Sequence, residues 1–486
     1  MAESKFSYEI ISKEKKTIRI KQAVSVTEEV VIPEKVVYYK QEYTVTEIGK
    51  WAFCSHTSDY FSQLKRVVIP NSVTRIGDGA FCKCHNLTSI TLPESVTSIG
   101  VRAFSKCYNL TSINVANANT VYDSRNRCNA IVESKSNTLI AACSSTIIPE
   151  SVTSIGEYAF SGCHNLTSIS IPESVTSIGY RAFLECHNLT SITIPKSVTS
   201  IGEGAFSECY NLTSINVANA NTVYDSRNRC NAIIESKSNT LIAACSSTII
   251  PESVTSIGEC AFWGCHNLTS ITIPKSVTSI GDRAFWECHN LTSITIPKSV
   301  TCIGDSAFCE CHNLTSITLP ESVTSIGDMA FLECSSLTSI TLPESVTSIG
   351  DRAFHGCSIL TSIIIPKNKE SVMKLLPKEL HPFVKVTSET LVDTTPEPVI
   401  EAIPAQETAP AKEIVKEPAP ASVETSIEKP SPAPVKKEAV ASAPAKKEAA
   451  KTTNKPAEKS AGKSTAKPSE GEPKSIFGRI LSLFKK

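Results

Sequence analysis

Cysteine followed by histidine recurs along the chain, and this is the residue pair with the most obvious chemistry. Thiolate and imidazole are ligands that Zn²⁺ prefers, so a ladder of such pairs could bind zinc across neighbouring repeats. Alternatively, each cysteine is a small buried hydrophobe with its histidine outside the core. Structural zinc sites are local and use four ligands, so we favour packing and expect no metal and no cofactor. The repeated cysteines are Cys84, Cys107, Cys163, Cys186, Cys209, Cys265, Cys288, Cys311, Cys334 and Cys357, and six are followed by His85, His164, His187, His266, His289 and His312.

Two tryptophans and a row of hydroxyl side chains are the candidate ligand-binding residues. Trp263 and Trp286 occupy one position of adjacent repeats, so they should lie about one strand spacing apart. Such a pair could be a binding hot spot, or the rings could be partly buried replacements of the leucines found at this position elsewhere. Thr190, Ser191 and Thr193 should face outward from a strand. A regular threonine surface could bind glycans or ice, or it could simply face solvent.

Known catalytic motifs are missing from the sequence. There is no G-x-S-x-G, no phosphate-binding glycine-rich loop and no H-E-x-x-H. A catalytic site needs unique neighbours, and near-identical repeats supply few of them. Eight Asn-Leu-Thr triplets match the glycosylation sequon. Each asparagine directly precedes an inward leucine, and at this corner of the coil we expect its side chain to form hydrogen bonds with the backbone. The chain is therefore not expected to be an enzyme.

All of these residues belong to a repeat whose commonest period is 23 residues. Each copy contains an Ile-Gly pair, with an Ala-Phe pair ending four residues after the glycine. A unit this short cannot bury its own apolar face, so neighbouring units must stack into a solenoid with one continuous core. The phenylalanines are Phe53, Phe81, Phe104, Phe160, Phe183, Phe206, Phe262, Phe285, Phe308, Phe331 and Phe354.

One repeat shows the local structure that we expect in all of them. Leu189, Ile192 and Ile194 should point inward from a strand, and residues 197–201 should form a short second strand. Gly202 should permit a sharp turn. The following Ala-Phe pair should then pack a helical or 3-10 turn on the core.

Two elongated units interrupt the 23-residue period, at 101–156 and 203–258. Their inserted sequences are nearly identical, and two apolar runs around a Lys-Ser-Asn turn predict a β-hairpin or a paired, elongated coil. Counting each long unit as two coils gives about thirteen coils over 49–366. The flanking segments, 1–48 and 367–387, are predicted to be caps.

The unit I-P-x-S-V-T-S-I-G-x-x-A-F-x-x-C-x-N-L-T-S-I-T resembles the BspA-like leucine-rich repeats of bacterial surface antigens and related protist proteins. The long insert and the lead-in YTVTEIGKWAF at 43–53 are also similar, and the resemblance spans about 27–366. It implies a curved interaction surface and adhesion to host or neighbouring cells. The chain differs in that residues 1–20 are charged throughout and contain no apolar signal sequence. We therefore expect a surface protein or one exported by a non-classical route, or otherwise a cytoplasmic protein.

Charge and hydropathy limit the possible partners. Lysine plus arginine and aspartate plus glutamate both number 48, so the formal net charge is zero and a nucleic-acid partner is not expected. No apolar run reaches 18 residues, so no transmembrane helix is expected.

The C-terminal part changes composition abruptly. Residues 388–474 are rich in proline, alanine, lysine and glutamate, which predicts a disordered tether. Residues 475–486 carry an amphipathic pattern that could dock into a membrane interface or a partner groove, or be no more than a frayed tail. The apolar face of this segment consists of Ile476, Phe477, Ile480, Leu481 and Phe484.

The sequence thus predicts a leucine-rich-repeat solenoid with parallel β-strands and short helical or 3-10 turns, followed by a disordered tail. Its expected function is that of a non-enzymatic, adhesin-like module that binds a protein or a glycan. The alternative is an intracellular scaffold docked through its C-terminal segment. Ice binding through the hydroxyl face is a third, weaker hypothesis.

Overall fold

The computed structural model describes residues 5–54, 63–366 and 370–386, which form a β-solenoid of about 16 parallel turns. This confirms the predicted fold class. The tether predicted at 388–474 and the segment predicted at 475–486 lie outside the described residues.

The strands are short, and most repeat the same two positions of the coil. The first ten are β1 Phe6–Ser12, β2 Thr17–Ala23, β3 Glu29–Val31, β4 Lys35–Tyr38, β5 Gln41–Ile48, β6 Arg66–Val68, β7 Arg75–Ile76, β8 Ser89–Leu92, β9 Ser98–Ile99 and β10 Ser112–Val115. The next eleven are β11 Tyr122–Asp123, β12 Ala130–Glu133, β13 Thr138–Ala142, β14 Ser154–Ile155, β15 Ser177–Ile178, β16 Ser191–Ile194, β17 Ser200–Ile201, β18 Ser214–Val217, β19 Tyr224–Asp225, β20 Ala232–Glu235 and β21 Thr240–Ala244. The last eleven are β22 Ser256–Ile257, β23 Ser270–Thr272, β24 Ser279–Ile280, β25 Ser293–Thr295, β26 Cys302–Ile303, β27 Ser316–Thr318, β28 Ser325–Ile326, β29 Ser339–Thr341, β30 Ser348–Ile349, β31 Ser362–Ile365 and β32 Val384–Val386. Helix α1 spans Glu370–Leu375, and 3-10 helices span Arg125–Arg127, Arg227–Arg229 and Lys378–Phe383.

Most regular coils contribute one strand to each of two parallel ladders, whereas the coil that contains β15 contributes to one ladder only. In one ladder, β23, β25, β27, β29, β31 and β32 pair in sequence, and in the other β22, β24, β26, β28 and β30 do so. Leu189, Ile192 and Ile194 are buried, as predicted for the inward side of their strand. The second strand is present but consists of two residues only, β17.

The turn that carries the phenylalanine is not helical, contrary to prediction. In eleven coils the residue two positions before the phenylalanine has a positive φ, as Arg181 does at 50°. Backbone N–H groups still donate to the carbonyl three residues earlier, with Ala182 bonding Gly179 at 3.2 Å and Leu184 bonding Arg181 at 3.1 Å. Because a left-handed residue interrupts the right-handed run, these bonds close separate β-turns instead of a 3-10 helix.

Gly202 lies where successive coils approach each other most closely. A Cβ atom there would be 2.4 Å from the backbone nitrogen of Tyr180 and 2.7 Å from the carbonyl carbon of Gly179. The glycine is therefore needed because its backbone stacks directly on the glycine of the preceding coil.

Stacked phenylalanine rings run along the core. Phe183 is fully buried, with its ring centroid 4.8 Å from that of Phe160 and 5.4 Å from that of Phe206. Most of the buried residues form three large hydrophobic clusters, and these clusters meet at the two long units. At the first junction, Ile131 belongs to one cluster and Val132 to the next, because alternate residues of β12 point to opposite sides.

The long units contain the predicted β-hairpin. In the first copy β12 and β13 pair antiparallel, and β13 then pairs in parallel with β14, so that the ladder resumes. A charged cluster holds the insert, since the Arg125 guanidinium binds the Asp123 carboxylate through Nε at 2.7 Å and donates to Asn137 Oδ1 at 2.8 Å. The second copy repeats this geometry with Arg227, Asp225 and Asn239.

The segments that flank the repeats add strands to both ends of the parallel ladders. Within the predicted N-terminal cap, β3 pairs in parallel with β6 and β5 with β7, while β1 and β2 form an antiparallel hairpin. At the other end, β32 pairs in parallel with β31. The solenoid consequently has about 16 turns instead of the thirteen counted from the repeats alone.

Candidate interaction surfaces

Outward hydroxyl groups form a regular surface on the ladder from β23 to β29. We define this Ser/Thr face by the serine and threonine of each Ser-Ile-Thr strand. The serines pair in register from one coil to the next, and so do the threonines. The isoleucine between them points into the core, so the two hydroxyl rows are held on one side of the sheet. The Ser/Thr face consists of Ser270, Thr272, Ser293, Thr295, Ser316, Thr318, Ser339 and Thr341.

The three hydroxyl residues singled out in the sequence lie on an equivalent but shorter surface. Thr190, Ser191 and Thr193 are exposed, as predicted. Their strand, β16, pairs with β18, where Asn216 stands opposite Thr193. The long unit follows immediately, so this hydroxyl surface is limited to two strands.

Trp263 and Trp286 stack on each other, with ring centroids 4.7 Å apart and planes at 6°. Trp263 is nevertheless buried, in a small cluster with Tyr158, Leu184 and Cys260 that lies outside the main core. The Arg181 guanidinium covers its ring at 4.5 Å. Trp286 is only partly buried, so it is the member of the pair that offers more surface to a partner.

A column of stacked aromatic rings follows the cysteines along the other side of the coil. We call this the ring column, and its neighbouring centroids are 3.7–4.7 Å apart. It continues across both long units, because Tyr108 stacks on His164 at 3.7 Å and Tyr210 on His266 at 3.8 Å. The ring column consists of His85, Tyr108, His164, His187, Tyr210, His266, His289 and His312.

Burial changes the pKa of two ring-column histidines and of a neighbouring glutamate. Desolvation, followed by repulsion from neighbouring histidines, lowers the pKa of His164 and of His266 to about 4. Desolvation, followed by the Glu185 carboxylate, raises the pKa of Glu208 to about 8. These two histidines are therefore neutral at pH 7, and Glu208 largely holds its proton.

The column cysteines face the core, and their histidines lie outside it. The Cys186 thiol donates to the Phe160 carbonyl at 3.3 Å, and desolvation raises its pKa well above the usual value. Such thiols are poor nucleophiles and poor metal ligands. The column thiols and the imidazoles consequently lie on different sides of the coil wall, and all nineteen cysteines are free.

The sequon asparagines are exposed and bond mainly to one another instead of to corner backbone. Asn109 donates to Asn86 at 2.9 Å and Asn313 to Asn290 at 3.2 Å. The expected backbone contact occurs at Asn267, which donates to the Tyr210 carbonyl at 3.0 Å. The repeat thus gives these side chains a structural partner in the neighbouring coil.

Two cavities lie where regular coils meet the long units. The cavities, one beside Arg102 and Tyr158 and the other beside Cys260 and Trp263, have volumes of about 10 Å³ each. Each has room for about one water molecule. Neither of these two cavities can enclose an organic substrate.

The Tyr108 and Tyr210 rings were missed in the sequence analysis, which followed histidines only. The available signal was that an aromatic ring follows the column cysteine in eight successive copies. Glutamates two residues before His187, His289 and His312 were missed as well. In each case a single residue, the inward-pointing cysteine, separates the glutamate from the histidine. The glutamate and the histidine therefore lie on the same outer side of the coil, beside the ring column.

Comparison with known proteins agrees with the repeat fold described above. The chain matches the BspA type leucine rich repeat region over residues 46–128, 135–237 and 232–361. A leucine rich cell surface protein from Faecalibacterium prausnitzii A2-165 is 30% identical, and the match covers 77% of this chain and 97% of that one with a TM-score of 0.50. No curated protein matches the chain.

Two further solved structures are more distant. A leucine-rich repeat protein from Bacteroides ovatus is 22% identical with a TM-score of 0.26, over 79% of this chain and 98% of that one. The pneumococcal vaccine antigen PcpA is 17% identical with a TM-score of 0.39, over 80% and 98%.

Proposed function

The chain belongs to the BspA-type leucine-rich repeat family, and from this we propose that it is a non-enzymatic binding module whose Ser/Thr face contacts a protein or glycan. The observation that carries the proposal is the register of that face. Four successive strands present the same serine and threonine at one strand spacing, about 4.8 Å. A polymeric ligand with its own repeating hydroxyl or amide groups can make the same contact several times along such a face.

Repetition favours avidity over a single tight contact. Each coil offers only a few exposed hydroxyl groups, and an isolated hydrogen bond to a solvated partner adds little net free energy. Several weak contacts made by one ligand reinforce each other, because each contact after the first is intramolecular. This supports an extended glycan or a repetitive protein surface as the ligand.

A surface or exported location supports the same function. The Faecalibacterium prausnitzii relative is described as a cell surface protein, and an adhesin-like module acts where it can reach other cells. Among the described residues, no helix has the length and apolar character needed to span a bilayer. In the alternative, the segment 475–486 docks the solenoid inside the cell, and the location of the full chain separates the two.

The test is binding of the intact chain to a printed glycan array and to purified cell-surface glycoproteins. In the first variant Thr272, Thr295 and Thr318 are changed to glutamate, which places three charges on the Ser/Thr face. The matched control changes the exposed threonines of the other ladder in the same region, at 278, 301 and 324. We expect binding to fall more than about tenfold in the first variant and to persist in the control.

Equal binding by the wild type and both variants would contradict the proposed face. Equal loss in both variants would also contradict it, because it would mean that added charge acts without regard to position.

A further inference from the structure

Three groups of imidazole and carboxylate side chains lie along the ring column. Within each group, one ligand atom from each residue lies within 4.8 Å of the others. The groups are His164, Glu185 and His187; His266, Glu287 and His289; and His289, Glu310 and His312. Their charge environments differ, and this difference identifies the one most suited to a metal ion.

The first group already has a cation from the chain itself. Lys106 forms an ion pair with Glu185, and the Tyr108 hydroxyl donates to the same carboxylate at 3.2 Å. Lysine occupies this coil position at 83 and 106, near the N-terminal end of the array. A metal ion at Glu185 would have to displace Lys106.

The C-terminal coils reverse the charge at this position. Glu287, Glu310 and Glu333 occupy it in three successive coils, and each has a positive φ. Within the described residues, no lysine or arginine forms an ion pair with Glu310. A row of carboxylates at about one strand spacing repels itself, and a bound cation would relieve that repulsion.

The ring nitrogens in this region are oriented as metal ligands are. His312 Nδ1 lies 2.9 Å from the Glu333 carbonyl oxygen. Because a carbonyl can only accept, Nδ1 carries a hydrogen, and in the neutral ring Nε2 then has the free lone pair that a ligating histidine uses. His289 Nε2 is buried and has no hydrogen-bond partner among the described residues, as is also true of the histidines of the other two groups. Such an orphaned nitrogen is costly unless something binds it.

Trp286 completes the arrangement by orienting the carboxylate. Its indole Nε1–H donates to Glu310 Oε1 at 3.4 Å. The other carboxylate oxygen is left for a further ligand. Hydrogen bonds of this kind fix the direction of a ligating group and raise metal affinity.

We propose that His289, Glu310 and His312 form a binding site for a divalent transition-metal ion, with Zn²⁺ the best match. Two imidazoles and a carboxylate are an established zinc ligand set, and water can complete the tetrahedron. With bonds of about 2.0–2.2 Å the ligand atoms must be about 3.3 Å apart, so modest side-chain rotations must close the group. The ring stack allows this best here, because the 4.7 Å step from His289 to His312 is its widest.

The neighbouring thiols do not contribute. The Cys311 thiol is fully buried and donates to the Phe285 carbonyl at 3.2 Å on the core side. The metal site is therefore distinct from the cysteine–histidine ladder that the sequence first suggested.

The experiment titrates the untagged full chain with ZnCl₂ by isothermal calorimetry and follows tryptophan emission. A parallel titration with Co²⁺ reports the ligand type, since thiolate ligands give a charge-transfer band and imidazole and carboxylate ligands do not. We expect one strongly bound Zn²⁺ per chain, a change in tryptophan emission through Trp286, and a cobalt spectrum without thiolate character.

Two variants remove ligands without introducing a residue foreign to the fold. Glu310→Gln keeps the shape of the side chain, and His312→Ser introduces the residue that the next coil carries at Ser335. The matched control is His187→Tyr, which introduces the residue found at Tyr210 one coil later. We expect Glu310→Gln and His312→Ser each to weaken Zn²⁺ binding more than about tenfold, since even outer-shell partners are worth 10–100-fold, and His187→Tyr to leave it unchanged.

The proposal is overturned if the wild-type chain does not bind Zn²⁺, or if both ligand variants bind it as the wild type does. It is also overturned if the thiolate band appears in the cobalt spectrum, or if His187→Tyr abolishes binding. A wild-type chain that binds Zn²⁺ but neither the glycan array nor the glycoproteins would sink the proposed function alone, so the two claims fail separately.

Discussion

Removing one ring from the phenylalanine stack should destabilise the solenoid strongly. Phe183 is fully buried between Phe160 and Phe206, with ring centroids 4.8 and 5.4 Å away. Its backbone N–H donates to the Ala205 carbonyl at 2.8 Å, and this bond does not depend on the side chain. Phe183→Ala therefore removes packing alone and leaves a cavity between two rings that the stacked coils hold apart.

The expected loss in the free energy of unfolding is about 3–5 kcal/mol, the usual cost of truncating a buried phenylalanine to alanine. The effect should spread to neighbouring coils, because the stability of a solenoid depends on its nearest-neighbour interfaces. Urea denaturation followed by circular dichroism measures it, with the exposed Thr193→Ala as a control that should change stability by less than about 0.5 kcal/mol. A loss below about 1 kcal/mol for Phe183→Ala would show that the ring is not in the core.

Three further outcomes are expected. Thiol titration after denaturation without reductant should find nearly all nineteen cysteines free. In the native protein few of them should react, since sixteen are buried. If most cysteines were in disulfides, the packing of the repeated cysteines in the core would be refuted. The folded state raises the pKa of Glu208 from 4.5 to about 8, so its contribution to stability is greatest below pH 4.5 and is lost as the pH rises through about 8. Glu208→Gln should remove this part of the pH dependence of the unfolding free energy, and an unchanged profile would contradict the burial of that carboxyl. Deleting 475–486 should leave the unfolding curve of the solenoid unchanged and alter the cellular fraction in which the protein is found; identical fractionation would rule out docking by this segment.

The repeat made the core predictable from the sequence, while the details of the turn were not. Leu189, Ile192 and Ile194 follow the strand period, so their burial could be read directly. The left-handed φ of Arg181 could not, because arginine carries no preference for that region and is held there by contacts with the adjacent coils. The extra turns at the N-terminal end were not counted because β3 lies before the first Ile-Gly pair of the repeat, although it pairs in parallel with β6.

Interactions between coils were the hardest feature to predict. Tyr108 and His164 are 56 residues apart in sequence, and nothing local indicates that a long insert leaves their rings in contact. The same applies to Lys106 and Glu185, which meet because the ring column continues past the insert. The spacing of Trp263 left open whether it binds a ligand or replaces a buried leucine; it is buried, and the Arg181 guanidinium from an earlier coil lies over its ring.

Site-specific photo-cross-linking tests the proposed binding face most directly. A photoreactive amino acid is placed at Thr295, on the Ser/Thr face, or at Thr301, which is also exposed but lies beside the other ladder. Each protein is then bound to the best ligand from the glycan array or glycoprotein set. Cross-links from position 295 and few from position 301 are the predicted result. Cross-links from 301 alone, or equal yields from both positions, would contradict binding through the Ser/Thr face.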